Sequence, residues 1–469
     1  MQTDSQHMSY RKIIILLPLF FLQCAWSQQQ TKVLPLPTPS QLRWQQAEMG
    51  VLISYDLPVF QGKTYNQAVN RITPIPDANI FNPDALDTDQ WIRAAAAAGA
   101  RFAVLTVTHE TGFALYQSDV NPYCMKAIRF QDGKGDVVRD FVNSCRKYGL
   151  EPGLYVGVRW NSFWGVHDFK VEGTSQFAKN RQSAYKRMCE GMVRELCTRY
   201  GPLFMIWFDG GADDPTGNGP DVLPIVQQYQ PQCLFYHNAQ RADFRWGGSE
   251  SGTVPYPSWA TFPYPYSHAK NQSLIFANNF QLLKQGDADG TYWMPAMSDA
   301  PLRGSKGGHD WFWNPNEDHH VSPLTTLMKM YVESVGHNST LIVGLTPDNR
   351  GLIPKADEER LREWGDSIRA RFGKPLAAWH TGDKDYQISN PEGKTFTAIV
   401  VQEDIAVGER VRSFVIEEKI GRQWVKLVEG TCIGHKYIHL LPKVSTAKQL
   451  RLRVLTSQGP LQLKHFAVY

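Results

Sequence analysis

Phe204-Met205-Ile206-Trp207-Phe208-Asp209-Gly210-Gly211 is a short apolar run that ends on a carboxylate and two glycines. Its length and its aromatic content read as a buried strand. A helical pattern from Ser183 to Tyr200, closed by Gly201, precedes it. A second pattern, from Val222 to Tyr229, follows and leads into Cys233-Leu234-Phe235-Tyr236. The same unit recurs upstream. Asp87 to Ala98 reads as a helix with Asp87 or Thr88 as N-cap, and it passes through Gly99 into Phe102-Ala103-Val104-Leu105-Thr106-Val107. Asp136 to Tyr148 ends at Gly149 and leads into Gly153-Leu154-Tyr155-Val156-Gly157-Val158. Val51 to Tyr55 opens the series, and Leu341 to Leu345 before a helix from Asp357 to Phe372 closes it. Apolar strands alternating with helices predict a parallel sheet covered on both faces.

An open nucleotide-binding sheet would carry a glycine-rich phosphate loop, and the chain has neither GxGxxG after its first strand nor a Walker sequence. Polar and aromatic residues instead follow strand after strand: Ser54, Tyr55 and Asp56; Thr108, His109 and Glu110; Arg159, Trp160 and Asn161; Asp209; His237 and Asn238. In a (β/α)8 barrel these ends converge on the face where the site is built. The expected fold is therefore α/β: a (β/α)8-like (TIM) catalytic barrel over 28–373. From about Lys374 the helix signal stops, and six alternating stretches from Phe396 to Val468, punctuated by Gly408, Gly421, Gly430, Gly434 and Gly459, predict a C-terminal β-sandwich over 374–469.

The 469 residues carry 49 Lys and Arg against 45 Asp and Glu, and a net charge of +4 without a basic block argues against a nucleic-acid partner. Arg11 and Lys12 precede an apolar run from Ile13 to Leu22, too short to span a bilayer, and Ala25-Trp26-Ser27 suits a signal peptidase. Residues 1–27 are thus expected to be a signal peptide and the protein to be exported, periplasmic or extracellular, with no transmembrane segment; a lipid on Cys24 is the second choice. The other six cysteines show no CxxC or metal-finger spacing and read as buried small side chains. Asn271-Gln272-Ser273 and Asn338-Ser339-Thr340 are sequons. The oligomeric state stays open.

Asp209 stands at a strand mouth, and Glu250 stands in Arg245-Trp246-Gly247-Gly248-Ser249-Glu250-Ser251-Gly252, a stretch read as a loop. Each alone has a bland reading, as a helix cap or a solvated charge. Two carboxylates among Trp and Tyr are what a glycosidase uses, one as nucleophile and one as acid. Here the sequence resembles glycoside hydrolase family 29, the α-L-fucosidases, and within it the α-1,3/4-cleaving branch of secreted bacterial type. The resemblance rests on Gly50 to Tyr55, Asn79-Ile80-Phe81-Asn82-Pro83, Leu105 to Leu115, Trp207 to Gly211, Arg245-Trp246-x-Gly248-x-Glu250-x-Gly252, Trp293-x-Pro295-Ala296-x-x-Asp299, Trp311-Phe312-Trp313 and Pro347 to Ile353, in that order.

The resemblance implies a retaining exo-glycosidase with Asp209 as nucleophile and Glu250 as acid/base. It also implies sugar contacts from Ser54, Tyr55, His109, Glu110, Trp160, Trp207, Arg245 and Trp311, and a fucosylated oligosaccharide or glycoconjugate as partner, with no cofactor and no metal. Three positions depart from the family pattern: Ser54-Tyr55-Asp56 replaces His-Trp-Gly or His-Phe-Gly, Glu110 replaces a second His, and Met297 replaces a Glu. These changes leave open a related α-L-galactoside as substrate, or a weakly catalytic carbohydrate-binding protein. The retained carboxylate pair speaks against the latter. A metal-dependent hydrolase could be read from His309-Asp310 and Glu317-Asp318-His319-His320, but a helix-borne His pair is absent, which favours solvated loop residues or pocket lining.

Overall fold

The computed structural model describes residues 34–263, 280–304, 310–380, 382–383 and 386–469. The expected signal with Cys24, the Asn271 sequon and His309 lie outside them. Eight parallel strands form one sheet: β1 Met49–Ile53, β2 Phe102–Thr108, β3 Glu151–Val156, β4 Met205–Trp207, β5 Leu234–Tyr236, β6 Arg245–Trp246, β7 Ala296–Pro301 and β8 Ser339–Leu345. Their spatial order is β5-β4-β3-β2-β1-β8-β7-β6, so strands consecutive in the chain are neighbours everywhere except between β5 and β6. At the remaining edge the Asp243 N–H donates to the Phe235 carbonyl (3.1 Å) and the Phe235 N–H to the Asp243 carboxylate (2.7 Å), which brings β5 to β6 and closes the barrel.

Helix α1, Pro39–Ala47, precedes β1, and α2 Thr88–Ala98, α3 Val137–Tyr148, α4 Gln176–Arg199 and α5 Leu223–Tyr229 follow β1 to β4 in turn. Helices α6 Leu324–Ser334 and α7 Lys355–Phe372 follow β7 and β8. The caps are local and legible. Asp87 accepts the Gln90 N–H and Asp136 the Arg139 N–H, while Gly99 and Gly149 take left-handed backbone at the other ends. Helix α4 begins seven residues before the expected Ser183, capped by Ser175. Its first two turns are polar apart from an exposed Phe177 and a buried Ala178, so they carry no periodic signal. Strands β6 and β7 also escaped the sequence reading. One is two residues long, and the other carries Ser298, Asp299 and Pro301.

Alternation along the strands sorts two cores. Val51, Ile53, Ala103, Leu105, Leu154, Ile206, Phe235, Leu341 and Val343 face the helices. Leu52, Phe102, Val104, Tyr155, Met205, Trp207, Leu234, Tyr236, Met297 and Ile342 fill the barrel, and Trp44 of α1 plugs its floor against Phe102 and Phe244. The filling needs gaps: a Cβ at Gly50 would lie 2.3 Å from the Phe102 ring.

After α7 the chain forms two four-stranded antiparallel sheets. One orders β9 Ala377–Ala378, β16 Leu463–Val468, β11 Phe396–Glu403 and β14 Tyr437–Ser445; the other orders β10 Gln387–Ser389, β15 Gln449–Ser457, β12 Val411–Ile420 and β13 Gln423–Gly430. Their inner faces share a core built on Phe396, Ile399, Val401, Phe414, Ile416, Leu450, Leu452 and Phe466. Polar contacts fasten this sandwich to the barrel. Glu409 accepts the Ala260 N–H (2.9 Å), and Glu48 meets Lys436 (2.5 Å) and His435 (3.0 Å). Burial opposes the Glu48 charge, but the Lys436 ammonium and the His435 hydrogen bond outweigh it and hold the carboxyl down at about 2. All six cysteines of the described residues are free and buried, and no helix among those residues is long and apolar enough to cross a membrane.

Gly50→Ala is expected to lower unfolding stability by about 1–3 kcal/mol in urea denaturation, because the added methyl must displace a ring in a filled barrel. Gly217→Ala, whose Cβ would meet nothing closer than 3.5 Å, should be near neutral.

Candidate active site

The C-terminal mouth of the barrel holds a cleft of about 480 Å³, counted out to its opening. Asp209 follows β4 directly. Two residues after Trp207, it shares that side chain's inward side, and both line the cleft. Gly210 and Gly211 then turn the chain through left-handed backbone (φ 64° and 85°), and a Cβ on either would come within 2.7 Å of Arg159 or His237. The turn therefore needs glycine for both its conformation and its packing. Asp209 is exposed to solvent through the cleft, although protein atoms crowd around its carboxyl. Tyr155 points its hydroxyl at Oδ2 (3.3 Å). Burial pushes the Asp209 carboxyl above its ordinary value and nearby Glu250 adds to this, while His109, Tyr155 and the Gly210 N–H act in the other direction.

Glu250 comes from the segment after β6 and lines the same cleft. The Trp311 indole N–H donates to its Oε2 (3.0 Å). Trp311 reaches that point because β8 has Gly344 facing it: a Cβ there would lie 2.6 Å from the indole ring. A third carboxylate, Asp299 of β7, completes the group and accepts the Trp246 indole N–H (2.8 Å). Burial, reinforced by Glu250 and Asp209, raises its carboxyl to about 8 despite that bond. At neutral pH Asp299 is mostly a neutral acid. His109 stacks on Tyr155 (5.5 Å between rings) and meets Phe312 edge-on (4.9 Å), making one aromatic wall.

The cleft thus gathers Ser54, His109, Trp207, Asp209, Glu250 and Trp311 from the expected set. Four expected contacts lie elsewhere. Tyr55 points outward from the barrel, one position out of phase with Ser54, and is buried among Phe60, Phe81 and Trp91. Arg245 lies on β6 rather than in a loop and faces away from the cleft, while its neighbour Trp246 faces Asp299. Its guanidinium is fully buried and donates to the carbonyls of Leu283 (2.8 Å) and Met294 (2.5 Å) and to Ser258 (3.2 Å). Trp160 lies beneath the Arg71 guanidinium, 4.5 Å from it, outside the lining. Glu110 is buried and committed to Tyr65 and Arg71.

The lining also includes Tyr65, Gln67, Thr106, Tyr155 and Asp299. Period two from Trp207 could have found Tyr155, because its strand neighbour pairs with Trp207 in register. No such signal marks Tyr65, in an irregular stretch, or Gln67, the first residue of the one-turn helix Gln67–Asn70. Asp310, Glu317 and His320 also come together, with ligand atoms within 4.8 Å of one another. His320 Nδ1 lies 2.8 Å from Asp310 and 3.4 Å from Glu317, and the three form a polar group outside the cleft.

An eight-stranded barrel with a carboxylate-lined, aromatic-walled cleft at its C-terminal mouth is the design of a glycoside hydrolase. The family model described as alpha-L-fucosidase matches residues 42–371, and the chain belongs to that family, glycoside hydrolase family 29. A Bacteroides thetaiotaomicron structure assigned as an α-L-fucosidase is 56% identical, with a TM-score of 0.90 over 93% of this chain and 99% of that one. A family 29 structure from an unknown rumen bacterium is 30% identical, with a TM-score of 0.77 over 93% and 78% of the two chains. Alpha-L-fucosidase 1 of Arabidopsis thaliana is 25% identical over 93% of this chain and 88% of its own length.

The Asp299 carboxyl rises from 3.8 to about 8 on folding, so across that window the folded protein holds a proton that the unfolded chain has released. The Asp299 contribution to stability then falls as pH rises from about 4 to about 8, and levels off above. Asp299→Asn removes this dependence. Its melting temperature relative to wild type should climb through that window, and a pH-independent offset would contradict the assignment.

Proposed function

We propose that the protein is an exported, retaining α-L-fucosidase that removes α-1,3- or α-1,4-linked fucose from oligosaccharides or glycoconjugates. Family membership supports the hydrolysis of α-L-fucosides. The single observation that carries the mechanism is the pairing of Asp209 and Glu250 in one aromatic-walled cleft, with Glu250 oriented by Trp311. The linkage preference rests on the likeness of the Arg245 to Gly252 segment to the α-1,3/4 branch. Export rests on the basic, apolar and small-residue order of residues 11–27.

In this reading Asp209 attacks the anomeric carbon while Glu250 gives its proton to the departing glycosidic oxygen. A covalent fucosyl ester forms as the C–O bond to the aglycone breaks. Glu250, now ionised, takes a proton from water, and the resulting hydroxide displaces Asp209 with a second inversion, so that configuration is retained. Donation from Tyr155 and the field of His109 favour the ionised Asp209 that attack requires. Asp299, held neutral, avoids adding a third charge to the cleft.

Ser54 gives this cleft a smaller side chain than the imidazole usual in the family. That favours testing α-L-galactosides, which carry one more hydroxyl than fucosides, beside the fucosides.

Asp209→Asn should abolish turnover of Lewis-type trisaccharides. Glu250→Gln should lose about 10²–10⁴-fold on the same trisaccharides and far less on α-L-fucosyl fluoride, whose leaving group needs no proton. Product released by wild type, followed by NMR, should appear first as the α-anomer. Equal loss of Glu250→Gln on both substrates, or a β-anomer appearing first, would contradict the mechanism.

A further inference from the structure

Between β1 and α2 the chain makes a long excursion, and part of it returns to the cleft. Tyr65 and Gln67 line the cleft together with Ser54 and His109. Little apolar packing holds this part of the segment, since residues 62–64 and 66–69 are exposed. Polar contacts and one ring fix it. The Tyr65 N–H donates to Asn314 Oδ1 (2.7 Å), the Tyr65 ring stacks on Phe312 (4.6 Å), and the Tyr65 hydroxyl donates to Glu110 Oε2 (2.8 Å). Glu110 in turn accepts from Arg71 Nε (2.7 Å), and Arg71 covers the Trp160 ring. Each oxygen of the buried Glu110 thereby accepts from a group that belongs to the segment.

We propose that Tyr65 is a sugar-reading residue of this enzyme, and that Glu110 and Arg71 are positioning residues that act through it. The inference rests on the reading of the cleft as a fucoside site. Burial and the adjacent Glu110 carboxylate push the Tyr65 phenol well above its ordinary value, so the group keeps its proton. That proton is directed to Glu110, which leaves the phenol oxygen to accept. The sugar must therefore present a hydroxyl that donates toward the β1–β2 side of the cleft. Glu110, placed where a direct contact was expected, shapes recognition through Tyr65 instead.

The test uses the full chain with 4-nitrophenyl α-L-fucoside and its 2-, 3- and 4-deoxy analogues, comparing wild type, Tyr65→Phe, Glu110→Ala and the double variant. Tyr65→Phe keeps the ring and the Asn314 bond and removes only the oxygen. One deoxy analogue should lose about tenfold in kcat/KM with wild type, the parent should lose about the same with Tyr65→Phe, and that analogue should lose nothing further with Tyr65→Phe. Glu110→Ala should blunt the same discrimination and add nothing in the double variant. Unchanged kcat/KM and unchanged analogue preference in Tyr65→Phe would overturn the inference while leaving the fucosidase reading intact. A further loss on adding Glu110→Ala to Tyr65→Phe would also overturn it, because Glu110 would then act directly. A folded wild type that turns over neither the parent nor a Lewis-type trisaccharide would overturn both.

Discussion

Asp209, Glu250 and Asp299 crowd one cleft, and their repulsion is the constraint that the surrounding residues answer. Burial raises the Asp209 and Asp299 carboxyls, the Glu250 carboxylate adds to the rise at both, and Asp209 adds to it at Asp299. The response differs at each position. Asp209 receives a phenol hydroxyl and faces His109, Glu250 receives the Trp311 indole, and Asp299 receives the Trp246 indole yet still stays neutral. Environments that separate the proton affinities of neighbouring carboxyls are what acid–base chemistry at a single pH requires.

The barrel supplies these partners through its interior filling. Inward positions near the C-terminal ends of the strands, Tyr155, Trp207 and Asp299 among them, continue the column of side chains that packs the barrel below. Trp311 depends on the same economy of space, because only a glycine at position 344 leaves room for its ring. A packing change deep in the barrel and a chemical change at its mouth are therefore connected through rigid, filled layers. The sandwich braces this frame from outside, where contacts of the partly exposed Glu48 and the buried Glu409 fix it to the barrel.

Much of the frame was legible in the sequence because its signals are local. Continuous apolar runs, Asp caps and C-terminal glycines each act over a few residues, and they marked α2, α3 and most of the barrel strands. Strands β6 and β7 were hidden because one is very short and the other carries its polar side chains into the cleft or onto neighbouring strands. Of the site, the residues on strand ends were legible. Arg245 and Tyr55 were misplaced because a shift of one residue along a strand reverses the face of a side chain. Tyr65 was invisible, since its position depends on Asn314, Phe312 and Glu110, which are distant in sequence.

The most direct test of the account is to trap the ester. Incubation with 2-deoxy-2-fluoro-α-L-fucosyl fluoride, which slows the second step more than the first, should add the mass of one fluorosugar to the protein. After proteolysis that mass should lie on the peptide at Asp209. A modification on Glu250 or Asp299, or none while substrate is being consumed, would contradict the account.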